Sequence, residues 1–267
     1  MVLTQRWDPE VYSKSSTAQQ RWAQELLSKV SIRRNERILD IGCGDGKVTA
    51  EIALLVPEGS ILGIDNSAEM ISFAQIKFPP ALWPNLAFQY GDASDLQFVD
   101  EFDLVLSFAC LHWVQDHIPV LEGIKRSLKK GGKALMQFGG KDNAAAIIAV
   151  VDEIISEEKW SEYFDGFEFP YGFFGPDEYL TWLDRAGLNA VRVELVQKDM
   201  AQTGREGLAS WFKATWLPYI EKVPKDLRED FINEVVDRYV LVHPPDDEGF
   251  VHVGMVRLEV EAEKNQA

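Results

Sequence analysis

Short apolar runs alternate with amphipathic segments up to Gly140 of the chain. We interpret the apolar runs as strands at residues 37–41, 60–65, 85–90, 102–108 and 133–138. Helical periodicity lies between them, most clearly over residues 47–56 and 67–78. Strands that alternate with helices in this way are typical of a doubly wound α/β sheet whose strands are parallel.

The pattern changes after Gly140. An aromatic-rich stretch precedes a predicted helix at residues 177–185 and an alternating strand at 190–196. A long helical stretch at 206–239, broken at its prolines, then leads to a last alternating strand at 251–260. We expect the two late strands to pair in antiparallel fashion at the sheet edge, with the helical stretch folded back as a cap.

Together these elements predict an α/β fold with a doubly wound, seven-stranded, mostly parallel sheet, an antiparallel last strand and a helical cap. The predicted segments are N-terminal lid helices at 1–30, a core at 31–140, an insertion at 141–175, a core helix and strand at 176–200, the cap at 201–248, and the last strand and tail at 249–267.

Two local signals mark predicted helix ends. Ser67 is a typical N-cap residue, and Met70 stands three positions after it, where the capped N–H is expected. The run from Lys129 to Gly132 combines lysines with two glycines, which is typical of a helix C-terminus.

Length and composition point to one domain with insertions. The chain has 267 residues, 46% of them hydrophobic, which is enough for a substantial core. Its apolar runs are far shorter than the roughly 20 residues that cross a bilayer, and residues 1–10 lack a signal-peptide core. We therefore predict a cytoplasmic protein that does not bind membranes. We expect a monomer or a homodimer.

Charge restricts the class of partner. The chain has 43 acidic and 27 basic residues, a formal net charge of −16, whereas a nucleic-acid surface needs clustered Lys and Arg. A small molecule is therefore the expected partner, and nucleic acid is not. Cys43 and Cys110 are the only cysteines, and His112 and His117 lack a third ligand at suitable spacing, so no disulfide and no metal are expected.

The segment from Ile38 to Gly46 reads as a strand that runs into a glycine turn at the start of a helix. Glycines allow a tight turn and a close approach of the backbone to a ligand. A dinucleotide fingerprint needs a third glycine at position 47, where this chain has Lys47, and Asp45 would face the pyrophosphate. NAD and FAD therefore fit poorly, whereas a ligand with a sulfonium and an ammonium group suits a loop flanked by Asp40 and Asp45.

Further polar candidates stand at the carboxyl ends of the next strands, where open α/β sheets bind ligands. Asp65 ends the second strand, in the position that usually holds ribose hydroxyls, and Asn66 and Met70 follow it. Asp92 and Ala93 follow the third strand, where the carboxylate is placed to accept from an adenine amino group. Ser107 lies near the end of the fourth strand. Each of these residues also has a purely structural interpretation, and their order and spacing together carry the prediction.

These residues resemble the class I S-adenosylmethionine-dependent methyltransferases, through D-I-G-C-G-D-G at 40–46, G-I-D at 63–65 and G-D-A at 91–93. Within that superfamily the chain resembles the trans-aconitate methyltransferases and the juvenile-hormone-acid methyltransferases along nearly its whole length. The segments W-D-P-E-V-Y-S-K-S-S at 7–16 and S-F-A-C-L-H-W-V at 107–114 carry this resemblance. Both groups esterify carboxylic acids.

The resemblance implies roles for residues outside the glycine loop. Tyr12, Gln19 and Trp22 would belong to an N-terminal lid, and His112 and Trp113 to the floor beneath the methyl acceptor. The L-H-W-V form is closer to the juvenile-hormone-acid enzymes. The predicted catalytic residues are His112, Gln19 and Trp113. The predicted residues that bind S-adenosyl-L-methionine are Tyr12, Trp22, Asp40, Gly42, Cys43, Gly44, Asp65, Asn66, Met70, Asp92, Ala93 and Ser107.

The acceptor class follows from chemistry and composition. A carboxylate is ionised at pH 7 and needs no general base, whereas an alcohol or phenol does. His112 is the candidate for that base, or for a hydrogen bond that orients a carboxylate. Residues 141–250 contain 17 of the 30 aromatic residues, with 23 acids against 11 bases. This composition favours an apolar acceptor with at most one anionic group over a tricarboxylate.

We therefore predict an S-adenosylmethionine-dependent methyltransferase that O-methylates the carboxylate of a small, mostly apolar molecule. One alternative is O- or C-methylation of a terpenoid, phenol or polyketide, for which His112 would act as base. Another is a cofactor-binding protein without catalytic activity.

Overall fold

The computed structural model describes residues 17–266. Its sheet has seven strands in the order β3-β2-β1-β4-β5-β7-β6. The strands are β1 (Arg37–Ile41), β2 (Ser60–Asp65), β3 (Leu86–Tyr90), β4 (Phe102–Phe108), β5 (Leu128–Gly139), β6 (Asn189–Thr203) and β7 (Phe250–Glu263).

The first five strands pair in parallel, and β7 pairs with β5 in antiparallel fashion. This arrangement confirms the predicted mostly parallel sheet with an antiparallel last strand. The order reverses at β1, so the carboxyl ends of β1 and β4 meet at a topological switch point, where open α/β sheets bind their ligands.

Helices separate the strands. They are α1 (Thr17–Leu27), α2 (Lys47–Ala53), α3 (Ala68–Lys77), α4 (Ile118–Ser127), α5 (Ala145–Ser156), α6 (Pro176–Ala186), α7 (Gly204–Thr215), α8 (Leu217–Ile220) and α9 (Arg228–Val242). Short 3₁₀ turns occur at Leu111–Trp113 and Ser161–Phe164. Among residues 17–266, no helix is long and apolar enough to cross a membrane.

The chain divides into two compact units. Unit 1 contains the described residues up to Lys141, Tyr171–Val196 and the residues from Arg257 onward. Unit 2 contains Asp142–Pro170 and Gln197–Val256. The segment predicted as an insertion, residues 141–175, thus contributes its last residues to unit 1.

Unit 1 has an apolar cluster on each face of the sheet, because alternate residues of a strand point to opposite faces. On one face, Leu39 and Phe138 are buried in a cluster with Leu183 of α6. On the other face, Ile38 is buried in a cluster with Ile52 of α2. The sheet core thus supports the strand ends rigidly from both sides.

Unit 2 has a core rich in aromatic side chains. Trp160 and Phe231 have ring centroids 5.2 Å apart, and Phe212 stacks on Trp216 at 5.5 Å. These four side chains are buried. Many of the aromatic residues counted in the sequence therefore form core, and their number alone does not support an apolar pocket.

Two element predictions were wrong at their boundaries. The segment from Lys129 to Gly132 lies inside β5, which begins at Leu128, because Leu128 pairs with Phe102 of β4. Gly131 has φ of 72°, and its N–H donates to Lys264 O at 2.9 Å, so this glycine serves strand pairing and not a helix end.

The long helical stretch also departs from its prediction. It forms α7, α8 and α9, and the chain leaves α7 at Thr215, before Pro218. Proline is tolerated in the first turn of a helix, and Pro218 stands in the first turn of α8.

The predicted N-cap of α3 is confirmed. The Ser67 side chain accepts a hydrogen bond from the backbone N–H of Met70 at 3.2 Å. Glu69 in the first turn also complements the positive end of the helix dipole.

Candidate active site

The glycine turn after β1 adopts backbone angles that favour glycine. Gly42, Gly44 and Gly46 have φ of 76°, 53° and 77°. The N–H groups of Gly42 and Cys43 both donate to Ile64 O, at 2.8 and 3.0 Å. A Cβ atom at Gly42 would lie 2.2 Å from the Cys110 Sγ, so any side chain there would collide with the turn after β4.

Asp65 fixes this loop from the end of β2. Its Oδ2 accepts from the Gly44 N–H at 3.0 Å, and its Oδ1 accepts from the Ser67 N–H at 2.9 Å. Each carboxylate oxygen has a second lone pair, so Asp65 retains acceptor capacity for a ligand hydroxyl. Burial raises the pKa of this carboxyl, and the two backbone hydrogen bonds oppose that rise.

The two other carboxylates of the loop differ in their surroundings. Asp40 is buried and accepts from the Thr49 hydroxyl at 2.6 Å, and burial raises its pKa to about 6. Asp45 lies 3.1 Å from Lys77 Nζ. The Lys77 charge offsets that of Asp45, a partner that the sequence did not indicate, although Asp45 still lines the pocket beside the loop.

A pocket opens beside the glycine loop. It is lined by Gln19, Gln20, Asp40, Gly42, Cys43, Gly44, Asp45, Lys47, Val48, Phe108 and Ala109. Within residues 17–266, the Gln19 Oε1 is buried and has no hydrogen-bond partner. A buried acceptor that lines a pocket is suited to a donor group on a ligand, because leaving it unsatisfied is costly.

Gln20, Lys47 and Val48 line the pocket but were not predicted from the sequence, and Phe108 and Ala109 were absent from the list of predicted binding residues although they stand at the end of the fourth predicted strand. Ala109 has φ of 52°, and its N–H donates to Gln137 O at 2.8 Å. A strained non-glycine backbone is common at functional sites. The position of Phe108 and Ala109 in the chain indicates that they line a site. Phe108 ends β4, and Ala109 follows it at the edge of the sheet where ligands bind.

Some predicted cofactor residues occupy other environments. Ser107 is fully buried, and its hydroxyl donates to Ile41 O at 2.9 Å, which joins the ends of β1 and β4. Ala93 is a core residue of unit 1, and Asn66 is exposed. Tyr12 lies outside the described residues.

Met70 and Asp92 stay close to the site edge. Met70 is buried in the first turn of α3, after the Asp65 loop. The Oδ1 of Asp92 accepts from the Ser94 N–H at 2.8 Å and from the Ser94 hydroxyl at 2.6 Å. These bonds hold the Asp92 carboxylate at the end of β3, where the sequence predicted it.

Trp22 does not line this pocket. It is 1% exposed, and the Arg257 guanidinium lies 4.7 Å from its ring centroid. Gln137 Nε2 donates to the Trp22 carbonyl at 3.4 Å. Trp22 therefore anchors α1 on the sheet face near β5 and β7.

An aromatic cluster follows the turn that packs on Gly42. The His112 ring centroid lies 5.5 Å from Trp113, 6.2 Å from Tyr171 and 6.1 Å from Phe173. The Gly172 N–H donates to His112 O at 2.8 Å, which brings the later segment to this turn. We call these four side chains the aromatic cluster: His112, Trp113, Tyr171 and Phe173.

His112 is set up as a neutral hydrogen-bond donor. Its Nδ1 accepts from the Gly139 N–H at 3.4 Å, which leaves the ring proton on Nε2. Burial and the charge of Arg257 hold the pKa of His112 well below its usual range. A neutral ring with its proton on Nε2 can orient an acceptor but is a poor proton acceptor.

His117 has a structural role. Its Nδ1 accepts from the Tyr179 hydroxyl at 2.5 Å, and its Nε2 donates to Leu111 O and Val114 O, each at 2.9 Å. Burial lowers its pKa to about 4. With both nitrogens engaged, His117 braces the turn that carries His112.

Comparison with known proteins agrees with this geometry. The model of a methyltransferase domain family matches residues 32–187, which cover the glycine loop and the aromatic cluster. The chain belongs to this family and is an S-adenosylmethionine-dependent methyltransferase.

Curated relatives and a solved structure extend the comparison. The trans-aconitate 2-methyltransferase of Deinococcus radiodurans is 30% identical over 223 residues, which cover 81% of this chain and 83% of the relative. That of Variovorax paradoxus is 27% identical over 272 residues, 97% and 98% of the two chains. The phosphoethanolamine N-methyltransferase 2 of Haemonchus contortus, solved with S-adenosyl-L-methionine, has a TM-score of 0.60 at 17% identity, covering 97% of this chain and 57% of that one.

Proposed function

We propose that this enzyme transfers the methyl group of S-adenosylmethionine to the carboxylate of a small, mostly apolar acid. The observation that carries this proposal is the aromatic cluster, which presents the Nε2–H of a neutral His112. His112 stands two residues after Cys110, which packs on Gly42 of the glycine loop. Such a site offers apolar contact and a hydrogen-bond donor but no general base. A carboxylate meets these conditions because it is already ionised at pH 7.

The residues beside the glycine loop fit the cofactor. The Gln19 Oε1 would accept from its ammonium group, and Asp65 would accept from its ribose hydroxyls. Gly42 and Gly44 allow the backbone to approach it closely. S-adenosylmethionine supplies an electrophilic methyl group on a sulfonium, and the protein supplies alignment and exclusion of water.

This assignment changes the role predicted for Gln19. The sequence analysis placed Gln19 among the predicted catalytic residues, whereas its side chain lines the pocket at the glycine loop. We assign His112 and Trp113 to the acceptor side, with Tyr171 and Phe173 as further walls, because their rings pack together. His112 donates from Nε2 to one carboxylate oxygen and leaves the other oxygen to react.

The relatives act on trans-aconitate by name, and we propose a less charged acceptor for this chain. A tricarboxylate needs several cationic side chains, and the formal net charge of −16 opposes it. The same charge opposes nucleic acid as substrate. The cytoplasmic location and the monomeric or homodimeric state stay predictions.

Methyl transfer from labelled S-adenosylmethionine to a panel of acids, alcohols, phenols and amines tests the proposal. We expect ester formation with long-chain or isoprenoid acids, at a higher kcat/KM than with trans-aconitate. Transfer only to hydroxyl groups would instead assign His112 as a base, and transfer only to amines would exclude a carboxylate acceptor. More efficient turnover of aconitate would reject the apolar preference.

A further inference from the structure

Arg257 is a buried cation at the carboxyl end of β5. In the β5–β7 ladder it stands opposite Gly139, the last residue of β5, and it is 5% exposed. Its guanidinium lies over the Trp22 ring, with 4.7 Å between the guanidinium carbon and the ring centroid. The ring face attracts the guanidinium, which favours one position of this long side chain.

The neighbouring residues of this strand show that this sheet face is polar. Glu259 points to the same face as Arg257, because strand residues two apart share a face. Glu259 is fully buried and accepts from Lys29 at 2.6 Å, Arg192 at 2.7 Å and Gln137 at 2.9 Å. This network fixes the strand beside Arg257.

Arg257 and His112 are both neighbours of Gly139. His112 Nδ1 accepts from the Gly139 N–H, and Arg257 pairs with Gly139 in the sheet. The positive charge of Arg257 also contributes to the lowered pKa of His112. Gly139 has no side chain. Arg257, a cation, and His112, a neutral hydrogen-bond donor, are therefore both neighbours of this small residue at the edge of the sheet where ligands bind.

We propose that Arg257 binds the carboxylate of the methyl acceptor and selects anionic over cationic acceptors. This inference rests on the proposed function. A guanidinium matches a carboxylate in shape and charge, and a buried site strengthens the pair. An ammonium group beside the same buried guanidinium would be repelled, so an aromatic cluster that would otherwise suit a cationic amine is restricted to acids.

Arg257→Met tests the inference, with KM and kcat measured on the best acid from the panel and with calorimetric binding of S-adenosylmethionine. We expect the KM for the acid to rise about 10- to 100-fold, as for a lost charge-assisted hydrogen bond, with the cofactor Kd changed less than about 2-fold. Arg257→Lys keeps the charge without the planar fork and should give an intermediate KM.

Arg192→Met is the matched control. Arg192 is also a cation beside β7, and it donates hydrogen bonds to Glu194 and Glu259. It should leave the KM for the acid within about 2-fold of the wild-type value. An unchanged KM in Arg257→Met, or an equal rise in both variants, would reject the role of Arg257. Absence of ester formation by the wild-type enzyme would instead reject the proposed function itself.

A second measurement follows the pKa of His112 by NMR of the ring resonances, in the wild-type enzyme and in Arg257→Met. A bound carboxylate accepts from His112 and also neutralises Arg257, so the acid should raise this pKa more in the wild-type enzyme than in Arg257→Met, and an equal rise in both would reject the role of Arg257. The primary amide of the same acid should not raise it, because it brings no charge. Equal titration curves with the acid and the amide would overturn the inference.

Discussion

The two sides of the site are built in different ways. On the cofactor side, the loop of Gly42 and Gly44 and its carboxylate Asp65 come from consecutive strand ends, and hydrogen bonds join them directly. On the side that we propose for the acceptor, the aromatic cluster joins the turn at His112 to the segment at Tyr171, and Arg257 belongs to the last strand. The first side is therefore set by local motifs and the second by long-range packing. Substitutions on the first side should therefore weaken cofactor binding, and substitutions on the second side should lower turnover of the acceptor.

The largest expected effect is that of Gly42→Ala on the cofactor side. An alanine here would adopt φ of 76° and place its Cβ 2.2 Å from the Cys110 Sγ. Backbone strain of about 1–2 kcal/mol and overpacking of about 1–3 kcal/mol should weaken S-adenosylmethionine binding about 1,000-fold by calorimetry.

Gly166→Ala is the matched control for that change. Gly166 has φ of 65°, and nothing lies within 4 Å of its added Cβ. It should carry the backbone strain without the collision and leave cofactor binding intact. Adding Cys110→Gly to Gly42→Ala should recover part of the affinity, and no recovery would show that the collision is not the cause.

The next effect concerns stability and pH on the acceptor side. The folded-state pKa of His117 is about 4, below the value of about 6.5 expected unfolded, so the unfolded chain binds the proton first. Stability should fall by up to about 3 kcal/mol as the pH drops from about 6.5 to 4, measured by urea unfolding. His117→Asn should be less stable at pH 7 but lose less below pH 6.5.

His252 provides a control of opposite sign. Hydrogen bonds to Asp246 and Asp199 raise its pKa, so its contribution is present below the unfolded pKa and is lost as the pH rises through the folded value. His252→Gln should still lose stability as the pH drops from about 6.5 to 4, as the wild type does. If His117→Asn kept this loss and His252→Gln did not, the loss could not be assigned to His117.

A smaller effect is expected for His112→Phe, which keeps the ring but removes the Nε2–H donor. The kcat/KM for acids should fall about 10-fold, or about 1.4 kcal/mol, with cofactor affinity unchanged. Because the pKa of His112 is well below 6.5, the wild-type rate with acids should be flat from about pH 6.5 upward.

His243→Phe is the corresponding control, since the His243 ring packs against Tyr239 in unit 2, with 4.6 Å between the ring centroids. It should not alter kcat/KM. A rate that rises with pH and loses that rise in His112→Phe would show that His112 acts as a base.

The smallest effect belongs to Ser67→Ala, which removes the N-cap of α3. Loss of the bond from the Met70 N–H should cost about 1 kcal/mol in thermal unfolding. Ser156→Ala, at the exposed end of α5, should change stability by less than about 0.5 kcal/mol. Equal losses in both variants would remove the cap as the explanation.

Some features were predictable because they depend on neighbours in the chain. The glycine spacing from Gly42 to Gly46, the cap at Ser67 and the strand alternation are local, so sequence alone identified the sheet and the cofactor loop. Even here the neighbours of Asp45 were missed, because Lys77 reaches it from α3, a separate helix.

Other features depended on residues brought together from distant positions. Trp22, predicted to face the cofactor, is instead covered by Arg257, and Ser107 is buried at Ile41. The aromatic residues between 141 and 250 divide between the cores of the two units and the aromatic cluster, a distinction that composition cannot make.

The sequence by itself determined the fold class, because periodicity, capping and glycine turns act over a few residues, and its motifs indicated the methyl donor through their resemblance to the class I methyltransferases. Only the tertiary structure decided the protonation of His112, the pairing of Asp45 and the position of Arg257. Those properties arise from burial and from charges that the fold brings close across the chain, as when Lys77 of α3 pairs with Asp45 and Arg257 of β7 stands opposite Gly139 of β5.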